Sequence, residues 1–220
     1  MEKGFAGLES KFSAFLLRLR EMFHAAKTGG PAPELTLQDH STLCEYVFTH
    51  IIRVPATLDW IRKEIESAGY SAGLPKNPDE DQRWTVYSLS NIGLKLGPRA
   101  FDLLMRKNVL IDFFPRTRTS IITSDNPVIR AGPPGGLVFP ETQVLFPLDQ
   151  RSLVTLHGFG TNHQLRNLRD LSVADRFNNM IANVATEEVY CADATYLQNL
   201  LWRRGLEIEI VLPKTGRKER

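Results

Sequence analysis

The chain has 220 residues, 42% hydrophobic and 24% charged, with a formal net charge of +2, values of an ordinary globular domain able to bury its own core. So small a net charge gives no electrostatic signal for nucleic-acid binding, and no run of about 18 apolar residues is present to cross a membrane. Two cysteines, Cys44 and Cys191, are too few for a disulfide scaffold and lack CxxC spacing for zinc, so both read as buried thiols of a reducing, cytoplasmic compartment; the N-terminus does not read as a signal peptide.

The first half of the chain reads as helix. Phe5, Leu8, Phe12, Phe15, Leu16, Leu19 and Phe23 recur at three- and four-residue steps and so share one helical face. Gly29, Gly30, Pro31 and Pro33 stop that helix. Thr36 followed by Asp39 then gives a capped start with an acid in the first turn. The second helix carries Leu37, Cys44, Val47, Phe48, Ile51 and Ile52, and Pro55 should kink or break it. A polar stretch at 69–77 forms a loop. Asn77-Pro78-Asp79-Glu80 then starts a helix that runs to about Gly97, followed by a short one at 99–107.

The second half changes period. Short β-branched or aromatic runs at 109–114, 120–123, 128–130, 144–146 and 153–156, bounded by Pro, Gly, Asp or Asn, read as a meandering, mainly antiparallel sheet. Ser172 with Asp175 resembles a capping box that opens a helix to about Ala185. A strand at 189–191, an amphipathic helix at 195–203 and an edge strand at 206–212 follow. The expected fold is α+β: N-terminal helices packed on one face of a mainly antiparallel sheet, with further helices near the C-terminus. Residues 1–212 form one domain in this reading. Residues 213–220, with Lys214, Arg217, Lys218 and Arg220, form a basic flexible tail.

Common catalytic signatures are missing: there is no Walker A loop, GxGxxG, HExxH or GxSxG. Glu9-Ser10-Lys11 has nuclease-like spacing but lies inside the first helix, ahead of every strand. The histidines His24, His40, His50, His157 and His163 are dispersed, and no pair has helical metal-ligand spacing.

The most distinctive segment is Ile121-Ile122-Thr123-Ser124-Asp125-Asn126-Pro127-Val128, an apolar strand running into a polar turn locked by proline. Two readings stay open. Asp125, flanked by Ser124 and Asn126, could hold a divalent metal ion or orient a water at a strand end. Alternatively, Ser, Asp and Asn before Pro simply make a turn by bonding the local backbone. His50 and Arg53 lie three residues apart on one helical face, just before Pro55. Arg53 could cover freed carbonyls there or pair with a carboxylate such as Asp125. Arg176, Asn178, Asn179 and Asn183 fall on the helix after Ser172. Paired asparagines in a helix suggest specific hydrogen bonding or a solvated face.

Arg53-Val54-Pro55, Thr123-Ser124-Asp125-Asn126-Pro127, Phe146-Pro147-Leu148 and Asn178-Asn179 leading to Val189-Tyr190 occur in that order. In this the chain resembles the bacterial domain-of-unknown-function 4238 family over roughly residues 5 to 195, with the Thr-Ser-Asp-Asn-Pro motif its most specific part. Members commonly begin with a His-x-Val-Pro segment, which has no match here. The expectation is either a truncated form or a shortened member, lacking activity if a family active site needs that histidine. The resemblance implies a fold and no mechanism.

Two functions fit. In the first, the protein is a cytoplasmic bacterial effector of defence or toxin type acting on nucleic acid or nucleotides. Asp125, Asn126 and Arg53 are then catalytic, Asp125 on a divalent ion, and Ser124, His50, Arg176, Asn178 and Asn179 bind ligand. In the second it is a non-catalytic interaction module. No membrane partner is expected, and the apolar face of the first helix offers a surface for a homodimer.

Overall fold

The computed structural model describes residues 2–28, 34–53, 97–114, 120–133, 136–168, 170–185 and 188–202. Pro55 and its break, the helix start at Asn77, the strand at 206–212 and the tail at 213–220 lie outside the described residues.

Helix α1 spans Glu2–Lys27 and α2 spans Leu37–Arg53. On α1, Leu8, Phe12, Phe15, Leu19 and Phe23 are buried, as their spacing requires, while Leu17 is exposed on the far side. Helix α2 begins with a reciprocal cap. The Thr36 hydroxyl and backbone N–H donate to the Asp39 carboxylate at 2.7 and 2.9 Å, and the Asp39 N–H donates back to the Thr36 hydroxyl at 3.2 Å. Leu37, expected on the apolar face, is instead exposed, because it is the first helical residue beside that cap. Phe12 of α1 stacks on Tyr46 of α2 with ring centres 3.6 Å apart. Helix α3, Gly97–Met105, adds Leu104 to the same core.

The strands follow: β1 Asn108–Phe113, β2 Thr123–Ser124, β3 Ile129–Ala131, β4 Gln143–Asp149, β5 Ser152–His157, β6 His163–Asn167 and β7 Val189–Tyr190. Five of them form one sheet in the order β3-β4-β5-β1-β6. The β3–β4, β4–β5 and β5–β1 pairs are antiparallel, whereas β1 and β6 run parallel with Val109 opposite His163. Strand β6 was not expected: His-Gln-Leu-Arg-Asn has no β-branched residue and no apolar alternation. The loop that reverses the chain ahead of it uses Gly158 at φ +54°. It also lays Gly160 so close to Asn108 that an added Cβ would sit 2.6 Å from that side chain. Asn108 in turn accepts the Asn162 N–H at 2.9 Å, which fixes where β6 starts.

Two other expectations are corrected. The strand at 120–123 shrinks to Thr123–Ser124, because the Ile122 N–H donates to the Asn178 side chain and the Ile121 N–H to the Gln150 carbonyl rather than to one partner strand. Ser172 does not cap α4, which spans Ser172–Val184. Leu171 holds the cap position without a side-chain bond, and the Ser172 N–H donates to Asp170 at 2.9 Å.

Helix α5 spans Ala194–Trp202. Helices also cover both faces of the sheet, not one. Val144, Phe146, Leu148, Val154 and Leu156 pack with α1, α2 and α3. Their opposite-parity neighbours Leu145 and Leu153 pack with Ala174, Phe177 and Ile181 of α4 and Leu200 of α5. Sheet order therefore separates two apolar layers, each with its own buried polar cluster.

Candidate functional site

The Thr-Ser-Asp-Asn-Pro motif lies on the α4 side. Strand β2 pairs antiparallel with β7, setting Ser124 opposite Val189. The Ser124 hydroxyl accepts the Asn126 N–H at 3.1 Å, a local turn bond of the kind these residues favour. The Asn126 side-chain amide donates at 3.2 Å to the carbonyl of Val184, the last residue of α4. The Asp125 N–H donates to the Glu188 carbonyl at 3.2 Å. This backbone contact brings Asp125 beside Glu188, whose carboxylate accepts from the Tyr190 hydroxyl. The Tyr190 phenol is held above its ordinary range, first by that bond and also by the charges of Glu188 and Asp125.

Asn178 is fully buried beneath this turn. Its carbonyl accepts the Ile122 N–H at 3.0 Å, and its amide donates to the Ser120 carbonyl at 2.8 Å and the Tyr196 hydroxyl at 2.9 Å. Both amide hydrogens and the carbonyl are therefore engaged within the fold. The Tyr196 hydroxyl in turn donates to the Asp175 carboxylate at 2.9 Å, and burial leads the causes that push its phenol up to about 12. Cys191, half-buried nearby, accepts the Asp193 N–H at 3.4 Å, and burial raises its thiol. It is a thiol rather than an activated nucleophile.

The other sequence candidates lie on α4 and α2. Arg176 and Asn179 are exposed on α4, and the Asn179 amide donates to the Asp175 carbonyl of its own helix at 2.8 Å. Asn183 is exposed as well. His50 lies across the sheet on α2, edge-on to Tyr46 and with its ring centre 5.1 Å from that of Phe146. Arg53 ends α2, and its side chain lies outside the described residues. The sheet thus separates His50 and α2 from the motif turn and α4.

A second polar cluster, which sequence reasoning passed over, lies on the α2 side. Asp39, buried behind its cap, forms an ion pair with Arg18 of α1. Next to it, His40 is only 3% exposed. Its ring meets that of His163, the first residue of β6, edge-on at 4.7 Å between centres. His40 Nε2 and His163 Nδ1 are buried atoms without a hydrogen-bond partner among the described residues. Burial, and secondarily the nearness of His163, pushes the His40 imidazole down to about 4. The two histidines are far apart in sequence, so no spacing rule could have paired them.

A third feature is the fully buried Lys107, whose amine donates to the carbonyls of Phe139 and Thr142 at 3.2 and 2.8 Å and lies 4.8 Å from the Phe159 ring centre. Burial lowers its pKa. Around it Val138, Phe139 and Phe159 are exposed.

Among the described residues, no helix is long and apolar enough to cross a membrane. A family model described as "Protein of unknown function (DUF4238)" matches residues 1–195. No curated protein and no solved structure matches the chain.

Proposed function

The chain belongs to the DUF4238 family, and we propose that it acts as a non-catalytic protein-interaction module whose Thr-Ser-Asp-Asn-Pro turn is a clasp within the fold. One observation carries this reading: the side-chain bonds of Ser124, Asn126 and Asn178 run to backbone atoms or to Tyr196 of neighbouring segments, which leaves little chemistry to offer a substrate. A module needs exposed apolar surface, and Val138, Phe139 and Phe159 around Lys107 supply it. The proposed setting is a bacterial cytoplasm; the free thiols of Cys44 and Cys191 support a reducing compartment.

A second reading rests on the pairing of β2 with β7, which sets Asp125 beside Glu188. Two neighbouring carboxylates suit a divalent ion, and with it an effector acting on nucleotides or nucleic acid. Association through α1 loses its motive, because the apolar face that suggested a homodimer is buried in the chain's own core.

One experiment separates the two readings. Wild-type protein and the Asp125→Asn/Glu188→Gln double variant are assayed with magnesium or manganese on nucleoside triphosphates, RNA and DNA. The module reading expects no turnover from either. Turnover by wild type that disappears in a double variant of unchanged melting temperature would replace it with the effector reading.

A further inference from the structure

We infer that His40 and His163 form a binding site for a divalent transition-metal ion, with zinc the reference case and the remaining positions filled by water or an added ligand. Buried polar atoms without partners are rare, and an ion is one of the few occupants that accounts for them. Here two such atoms, His40 Nε2 and His163 Nδ1, belong to touching rings on different elements.

The ring separation is compatible with an ion. Two imidazoles bound at about 2.0–2.1 Å, meeting at an angle between ~90° and ~109°, hold their ring centres roughly 4.5–5.2 Å apart. The observed separation is 4.7 Å. Asp39, the neighbouring carboxylate, is engaged by Arg18 and Thr36. His163, at the start of β6, is half-buried.

Among the described residues no group of three His, Cys, Asp or Glu side chains converges. The described residues therefore offer two ligands, and a site made of these alone keeps open positions, as reactive zinc sites do and closed structural sites do not. Imidazole donors select zinc, copper or nickel over magnesium or calcium, which prefer oxygen.

The test is titration of the purified full chain, first stripped with chelator, with zinc by calorimetry and with cobalt(II) by visible absorption at pH 7.5. One ion per chain is expected, with a cobalt spectrum of nitrogen ligation. His163→Gln and His40→Gln should each weaken zinc binding at least about tenfold, since losing even an outer-shell partner costs that much. His24→Gln, on the exposed face of α1, should change nothing. Zinc should raise the melting temperature of wild type and not of His163→Gln. If His40→Gln does not fold, the half-buried His163→Gln decides the matter alone. The inference is overturned if wild type binds no more zinc than the His40→Gln/His163→Gln double variant, or if removing His163 leaves affinity unchanged; a water donating to both nitrogens would then be the occupant.

Discussion

The two faces of the sheet treat buried polarity in opposite ways. On the α4 face, Asn178 has its carbonyl and both amide hydrogens matched by Ile122, Ser120 and Tyr196. On the α2 face, His40 and His163 share a contact and each leaves a buried nitrogen unmatched. A satisfied buried polar group rigidifies a fold, whereas an unsatisfied one costs free energy. In the proposed reading the motif with the more distinctive sequence is architectural, while the inconspicuous histidines leave buried nitrogens unmatched.

The comparison breaks most easily at Asn178. Asn178→Ala strands the Ile122 N–H and the Ser120 carbonyl in the core, and should destabilise the protein by about 3–5 kcal/mol in urea unfolding. A loss under ~1 kcal/mol would mean that the α4 face does not depend on its satisfied amide.

The next effect belongs to the other face. His40 titrates at about 4 in the folded chain against an ordinary 6.5. The unfolded chain therefore takes up the proton first. The stability contributed by the neutral buried ring is fully present above about pH 6.5 and is lost as pH falls towards 4, by up to ~3 kcal/mol. Unfolding midpoints measured in chelator between pH 7 and pH 4 should show that slope, and His40→Gln should flatten it. An unchanged slope in the variant would assign the acid sensitivity elsewhere.

Thr36→Ala sharpens the contrast at close range. It removes matched cap bonds one turn from the unmatched imidazole and should cost about 1 kcal/mol without shifting the pH profile. Chemical denaturation at two pH values checks both halves of that statement.

Smallest of all is Asp125→Asn. The turn is closed by Ser124 and Asn126, and an amide tolerates the same backbone, so stability should change by less than ~0.5 kcal/mol in a thermal melt. A large loss would move Asp125 into a charged network of the fold.

How much of this was readable from the chain depended on the range of the interaction. Helix α1, the Thr36–Asp39 cap and strands β1, β3, β4 and β5 follow from local period and capping chemistry, which a sequence displays directly. Strand β6 does not, because its place is set by the Gly158–Gly160 turn and by the Asn108 side chain rather than by its own residues. The candidate site divided along the same line. That Ser124-Asp125-Asn126 makes a turn is local and was legible, while the burial of Asn178 and the exposure of Asn179 depend on which face of α4 meets the sheet. The meeting of His40 with His163 requires β6 to lie beside β1, and nothing near either residue announces it.

The strand order has a consequence for how the chain acquires its structure. Strand β1 is made early but lies between β5 and β6, both of which come later. During synthesis the phenylalanines of α1 have partners on α2 and β1 first, and lack those on β4 and β5 until Val144, Phe146, Val154 and Leu156 emerge. The β4–β5 hairpin closes locally and fast, but its docking onto β1 spans a long stretch of chain and is slower. A nascent chain stalled before β5 displays that aromatic face to the cell, so chaperone dependence should track the arrival of β5 rather than the completion of the helices.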